Sequence, residues 1–290
     1  MARNTAAGTA VGPIVISAVE QHEPPGRRLV DDDLATSFLP APLRAFVRTM
    51  RWSPLRLAVI AASERSGPGL WTSLACRKHY VDDNLRDSIN DLDAVVVLGA
   101  GLDTLAYRLA RHSDVPVFEV DQPINVERKK AVVARVFGTP PASVRLVPVD
   151  FERDDLMAVL VSYGYDPDAR TFFVWEGVTQ YLTEAAVRAT FGQLSRATRG
   201  SRIDFTYVHA DFIDGINTYG AAGFYRRVRV RSELWKFGLP PDGVDAFLAD
   251  YGWQLVEQAG PEAFAERYVR GTGRAVTASR IEWSAYAEKS

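Results

Sequence analysis

Five consecutive apolar residues, Ala94-Val95-Val96-Val97-Leu98, run straight into Gly99-Ala100-Gly101. A run this short and this uniformly apolar predicts a strand buried on both faces, the kind found where helices cover both sides of a parallel sheet. The residues that follow repeat the theme. A helix is predicted from Asp103 to about His112, a strand from Val115 to Val120, a helix from Val126 to Phe137 and a strand from Val144 to Val149. A helix from Asp155 to Ser162, a strand from Thr171 to Trp175, a helix from Glu184 to Thr198 and a strand from Arg202 to Val208 complete the series. Such alternation predicts a doubly wound parallel sheet.

The flanks read differently. Residues 1 to about 33 are rich in Gly, Pro and charge, and the uncharged stretch Ala6 to Val19 is broken by Gly8, Gly12, Pro13 and Ser17. It is too short to span a bilayer and is read as a loosely packed leader. The run Asp31-Asp32-Asp33 is placed to cap a following helix. Leu43, Phe46, Val47 and Met50 recur at helical spacing, Ser53-Pro54 divides that stretch into two helices, and a third helix runs from about Leu70 to Ile89. After residue 208 comes a long connection to about 240, rich in Gly, Tyr and Arg. A helix near Val244 to Tyr251, a strand at Gln254 to Glu257 and an alternating strand near Ala275 to Trp283 close the chain, and the terminal pair is expected to be antiparallel. The expected organisation is a single domain: a helical cap over 1–90, a ligand-binding core over 91–208, a lid over 209–245 and terminal strands over 246–290.

Charge and cysteine narrow the function classes. The 34 Lys and Arg nearly balance 36 Asp and Glu, for a net charge of -2, so the basic excess of a nucleic-acid binder is missing. Cys76 is the only cysteine, which leaves no intrachain disulfide and no Cys-rich zinc site, and His22, His79, His112 and His209 are too scattered for paired metal ligands. No metal is expected. A reducing cytoplasm suits one thiol. No nucleic-acid or membrane partner is expected, and a homodimer is compatible with the sequence.

The chemistry gathers at the strand ends. Gly99 and Gly101 stand where the first strand turns into a helix, allowing a tight turn and close approach of a ligand to the backbone. Taken alone, G-x-G is a weak signal, and Thr104 occupies the place of the third glycine of the dinucleotide fingerprint, which counts against NAD. Asp121 ends the second strand about twenty residues on, placed to accept both hydroxyls of a ribose. Asp150 and Phe151 end the third, offering a carboxylate to an adenine amino group and a wall to its face. Glu176 ends the fourth. Each acid also has a plainer reading as a helix N-cap, the more so for Asp150 than for Asp121. Together they line the crevice at the carboxyl ends of the strands.

Three strings then carry a resemblance: Val96-Val97-Leu98-Gly99-Ala100-Gly101-Leu102-Asp103-Thr104, Phe118-Glu119-Val120-Asp121-Gln122-Pro123 and Trp175-Glu176-Gly177-Val178-Thr179-Gln180-Tyr181-Leu182. With Arg77-Lys78-His79-Tyr80-Val81-Asp82-Asp83 before them, and Phe237-Gly238-Leu239-Pro240, Phe247-Leu248 and Gly252-Trp253 after them, the chain resembles the leucine carboxyl methyltransferase family over about residues 70 to 260. More narrowly, it is similar to the bacterial, actinomycete-type branch of S-adenosylmethionine-dependent methyltransferases. The resemblance implies a class I methyltransferase fold, Rossmann-like, with a mostly parallel seven-stranded sheet, an antiparallel last strand, a helical N-terminal cap and a lid insertion. It implies S-adenosyl-L-methionine as cofactor, with Arg77 on its methionine carboxylate and Glu176 at its amino end. Gly99 would lie against the methionine portion, Asp121 on the ribose, and Asp150 and Phe151 about the adenine, with Gly101 also among the cofactor-binding residues. Val97 and Leu98 stand where many methyltransferases carry an acid before the glycines, as this family allows.

The reaction implied is O-methylation of a small-molecule acceptor, a carboxylate in preference to a hydroxyl. A carboxylate is ionised at neutral pH, whereas a hydroxyl profits from a general base. His209, after the fifth predicted strand, is the candidate base, against the plainer reading of a solvent-facing loop histidine. Tyr181 is an acceptor-site candidate, against that of a packing aromatic. His79 and Tyr80 adjoin Arg77 and are expected to shape the cavity. Arg227, Arg229 and Arg231 alternate with Val228 and Val230, so an extended segment puts three arginines on one face; this is read as a solvated strand face, with a lid over an anionic acceptor as the alternative. Phe212, Tyr219, Phe224 and Tyr225, interspersed with glycines, suit a cover over an apolar acceptor. Two rival functions remain: a cofactor-binding protein without turnover, and an NAD-dependent oxidoreductase, which lacks both the third glycine and a Tyr-x-x-x-Lys proton donor.

Overall fold

The computed structural model describes residues 11–290, and its centre is a sheet of seven strands. These are β1 (Ala94–Leu98), β2 (Val117–Asp121), β3 (Val144–Pro148), β4 (Thr171–Trp175), β5 (Arg202–Val208), β6 (Trp253–Ala259) and β7 (Glu282–Lys289), in the spatial order β3-β2-β1-β4-β5-β7-β6. β1 to β5 pair in parallel, and β7 inserts antiparallel between β5 and β6. The chain reverses its direction of travel between β1 and β4, which opens a crevice at their carboxyl ends.

Helices α1 (Val11–Glu20), α2 (Ala35–Phe38), α3 (Ala41–Thr49), α4 (Ser53–Ser66) and α5 (Leu70–Ser88) precede the sheet. Then α6 (Leu105–Leu109), α7 (Pro123–Phe137), α8 (Leu156–Ser162) and α9 (Glu184–Leu194) link its parallel strands. Strand alternation divides the packing. Val95 and Val97 face the side where α1, α5 and α7 lie, whereas Val96 and Leu98 face the side of α8, α9 and α12 (Val244–Ala249), preceded by α10 (Ala210–Ile213) and α11 (Ala222–Tyr225). Short α13 (Pro261–Phe264) lies between β6 and β7. Among the described residues no helix is long and apolar enough to cross a membrane.

Several expectations are corrected. The stretch read as a loose leader is a packed helix from Val11 onward, while its first residues, Ala6 to Ala10, lie outside the described residues. Val11, Ile14, Val15, Ala18 and Val19 share one helical face, and Glu20 is buried, accepting hydrogen bonds from Arg274 (2.6 and 3.1 Å), Trp71 (2.9 Å) and the Leu29 amide (3.1 Å). The Asp31–Asp33 run caps nothing with its side chains. Asp32 instead accepts from the Thr104 hydroxyl at 2.7 Å, Asp31 pairs with Arg28 and Asp33 with Arg111. The helix after the glycine loop is confined to Leu105–Leu109. The last strand begins at Glu282, not Ala275, because the backbone before it is used elsewhere: the Ser279 amide bonds Gly69 O at 3.1 Å and Ser73 Oγ at 2.7 Å. The Arg226–Arg231 segment is a π-helical turn, not an extended strand.

Cys76 faces inward from α5, and burial, reinforced by Glu20 and opposed by Arg274, pushes its thiol up to about 12. Only the thiolate reacts readily. The native protein is therefore expected to resist iodoacetamide at pH 8 for hours and to label stoichiometrically once denatured. Rapid labelling of the folded protein would contradict this packing.

Candidate functional site

A cavity of about 700 Å³ opens at the carboxyl ends of β1, β2 and β4. Its floor is the glycine turn. Gly99 and Gly101 have φ of +74° and +44°, which side-chain-bearing residues adopt only with strain, and a Cβ on Gly99 would stand 2.3 Å from Val178 Cγ2. Asp121 is held beside this turn by three donors: the Gly101 amide (2.6 Å) to Oδ2, and the Gln122 amide (2.7 Å) and Asn125 Nδ2 (2.8 Å) to Oδ1. A carboxylate offers about four lone-pair directions, so one fixed by three donors keeps about one acceptor direction for the cavity.

Helix α5 supplies the opposing charge. Leu70, Leu74, Arg77, Lys78 and Val81 fall on one helical face and line the cavity. The buried guanidinium of Arg77 donates through Nε to Glu176 Oε1 at 2.8 Å and through Nη1 to Glu282 Oε1 at 2.5 Å. Both carboxylates hold it protonated against the cost of burial. Gly177 makes room for it: a Cβ there would lie 2.6 Å from Arg77 Nη2. Lys78 forms an ion pair with Asp103, whose other oxygen accepts the Leu105 amide at 2.6 Å. Burial raises the Asp103 carboxyl, but Lys78 and then Arg108 outweigh it and hold the acid well below its usual range. For Glu176 burial wins, and its carboxyl is pushed up despite Arg77.

Of the expected site residues, Arg77, Gly99, Gly101, Asp121, Phe151, Glu176 and Tyr181 all line this one cavity. Asp150 stands apart: its carboxylate accepts the Glu152 amide at 3.1 Å and approaches Arg153 at 3.8 Å, fastening the turn after β3. His209 also stands apart. It caps α10, Nδ1 accepting the Asp211 amide at 3.2 Å. His79 and Tyr80 point off the cavity face of α5, His79 against Leu29 O (3.0 Å) and Tyr268, Tyr80 toward Glu257 (3.2 Å). Lining residues that the sequence reading passed over include Lys78, Asp103, Asn125 and Glu282. Lys78 was within reach, since it shares a face with Leu74 and Val81; Glu282 carries no local signal.

The segment after β5 borders the other end. Phe224, Arg227, Val228, Ser232, Trp235 and Lys236 line it. A π-helix turns in about 4.4 residues, so 227, 228 and 232 come to the same side, and the run of arginines is sorted by that geometry. Arg227 stacks on Phe224 at 5.1 Å within the cavity, whereas Arg229 is spent on the carbonyls of Ile213 (2.9 Å) and Trp235 (2.5 Å).

Against known proteins, residues 10–195 match the family model described as leucine carboxyl methyltransferase. A Mycolicibacterium smegmatis protein, provisionally named an S-adenosyl-L-methionine-dependent methyltransferase, is 34% identical over 211 residues, covering 70% of this chain and 68% of that one. The chain belongs to the leucine carboxyl methyltransferase family. A Mycobacterium avium relative with the same provisional name is 31% identical over 260 residues, covering 88% and 79%. Among solved structures, a provisionally assigned methyltransferase from Thermobifida fusca has a TM-score of 0.57 at 18% identity, over 80% of this chain and 87% of its own. A protein of the DUF574 family from Streptomyces avermitilis has 0.54 at 15%, over 79% and 88%. Both share the fold, that of class I methyltransferases. Membership makes the chain an S-adenosylmethionine-dependent methyltransferase and removes the nicotinamide reading. The site fits that cofactor chemically: three N–H groups of Arg77 remain for a carboxylate, Glu176 for an ammonium, Asp121 for a ribose hydroxyl and Phe151 for a purine face.

Proposed function

We propose that this family member O-methylates a small-molecule acceptor, and that the accepting group is a carboxylate in preference to a hydroxyl. S-adenosylmethionine, when bound, supplies a methyl group already activated on a sulfonium. The chain's own residues have to hold the acceptor in line with it and exclude water. The single observation that carries the carboxylate reading is the lid: Arg227 and Lys236 line the cavity, and neither takes part in an ion pair among the described residues. Two uncompensated cations beside the aromatic rings of Phe224, Trp235 and Tyr181 suit an anion on an apolar body. A second point supports it. A hydroxyl acceptor gains ~10²–10⁴-fold from a general base, yet the cavity-lining residues described include no histidine, and the six lining carboxylates, Asp82, Asp103, Asp121, Glu152, Glu176 and Glu282, are all engaged in hydrogen bonds. Tyr181 then serves to orient the acceptor through its hydroxyl, and no side chain is assigned the removal of a proton.

The test is a panel of aryl and alkyl carboxylic acids beside phenols and alcohols of matched shape. Acids should be methylated faster. Arg227→Gln should raise the acceptor KM roughly tenfold, the scale of one partly exposed charge-assisted bond, while cofactor Kd stays unchanged. Turnover of phenols with the acids silent would sink the carboxylate reading.

A further inference from the structure

Strand β4 leaves the sheet abruptly. Its parallel register with β5 runs from Phe172↔Arg202 to Trp175↔Phe205, and one further step of the ladder would carry the Gly177 amide to the Thr206 carbonyl. That bond is not made. The Gly177 amide donates instead to Thr206 Oγ1 at 2.7 Å, and the Thr206 carbonyl accepts from Thr179 Oγ1, also at 2.7 Å. Two side-chain hydroxyls thus stand in for one ladder bond, and neither backbone group is left unpaired. The exchange turns the chain out of the sheet at Gly177, whose φ of +68° lies in the left-handed region. The stretch so displayed is cavity wall: Glu176, Gly177, Val178, Gln180, Tyr181 and Leu182 all line it. Thr179 and Thr206 are fully buried behind that wall and do not line the cavity themselves.

We propose that Thr206 is a positioning residue for cofactor binding: its hydroxyl, together with that of Thr179, turns the chain out of the sheet so that Glu176 meets Arg77 at the amino-acid end of the cofactor. The inference rests on reading that corner as the seat of the cofactor's carboxylate and ammonium. Three contacts tie the turn to the corner. Glu176 Oε1 accepts from Arg77 Nε at 2.8 Å, Gly177 leaves room for the Arg77 guanidinium, and Val178 lies against Gly99. Valine has the shape of threonine without its oxygen. In Thr206→Val the Gly177 amide loses its acceptor, and the carbonyl that the ladder would offer is already taken by Thr179. Regaining a bond means drawing Gly177 one step into the ladder and Glu176 away from Arg77; not regaining it leaves an amide unpaired. Either outcome disturbs the amino-acid end alone. The nucleoside end keeps its own bonds, since Asp121 is fixed by the Gly101 and Gln122 amides and Asn125.

The experiment is calorimetric titration of the full chain with two ligands, S-adenosylhomocysteine and 5′-methylthioadenosine. Both carry the nucleoside and a neutral thioether, and only the first carries the carboxylate and ammonium. Thr206→Val should weaken S-adenosylhomocysteine roughly tenfold, the scale of one misplaced charge-assisted hydrogen bond, while 5′-methylthioadenosine moves by less than about twofold on the same scale. Thr206→Ser, which restores the hydroxyl, should bind S-adenosylhomocysteine like the wild type. Equal weakening of both ligands by Thr206→Val would make Thr206 a prop of the whole fold and overturn the proposal, as would a serine variant no better than valine. If Thr206→Val does not fold, Thr179→Val removes the other hydroxyl and should show the same selective loss; equal loss there overturns the proposal too. Failure of the wild-type protein to bind S-adenosylhomocysteine is a separate result, which removes the cofactor reading of the cavity and this inference with it.

Discussion

Asp121→Ala is expected to weaken S-adenosylmethionine binding by at least ~100-fold, the largest loss of any single change in the cavity. Two effects add. The carboxylate is the group placed to accept a ribose hydroxyl, and a hydrogen bond to a charged acceptor contributes ~1.5–3 kcal/mol. It also receives the Gly101 amide at 2.6 Å, so its removal frees the glycine turn as well as the ligand contact. Thermal stability should fall much less, because Asp121 is the last residue of β2 and only partly buried. Asp121→Asn should be intermediate, since an amide keeps one acceptor oxygen and loses the charge. Calorimetry on the three proteins decides it; an alanine variant binding within threefold of wild type would remove Asp121 from the cofactor site.

The features readable from sequence were those whose cause is local. Ala94–Leu98 is apolar at every position and must be covered on both faces; Gly99 is at a turn where a Cβ would meet Val178; Asp121 ends β2 and Glu176 follows β4, strands whose ends are legible to within a residue or so. What escaped was set by partners far along the chain. Glu20 is tolerable inside the protein because Arg274 reaches it, 254 residues away, and without that partner α1 reads as a weak leader despite its apolar face. His209 follows β5 directly, but its ring bonds the next turn's backbone, a choice that strand position does not specify. Alternation of Arg and Val over 227–231 has the period of a strand. The segment coils instead, because Val228 packs with Phe212 and Trp235 beneath the lid. Position along a strand is a local property, whereas the direction a side chain takes at its end belongs to the tertiary structure.

Lys129→Met is expected to destabilise the fold by about 3–5 kcal/mol, the cost of leaving a buried charge without its partner. Lys129 comes from α7 to meet Glu119 in the middle of β2 at 2.5 Å, with side-chain exposures of 2% and 0%, and its ammonium also donates to Ala100 O at 3.2 Å. Glu119 keeps only the Tyr107 hydroxyl, at 2.9 Å, once the lysine is gone. Burial already pushes the Glu119 carboxyl above its usual range with Lys129 beside it, and the variant pushes it further. An acid whose folded-state pKa is raised binds more protons folded than unfolded, so stability declines as pH rises from the ordinary carboxylate range to the raised value. The deficit against wild type should accordingly be smallest near pH 5 and grow toward pH 8. Since ~1 kcal/mol corresponds to ~2–4 °C in a chain of this size, the melting temperature should drop by roughly 10 °C at neutral pH. Glu119→Leu added to Lys129→Met should recover much of the loss by removing the stranded charge. A variant melting within a degree or two of wild type at pH 8 would show that the fold does not depend on this buried pair. Because Ala100 O is one of the lysine's acceptors, cofactor affinity should weaken alongside stability, joining the packing of α7 on β2 to the floor of the site.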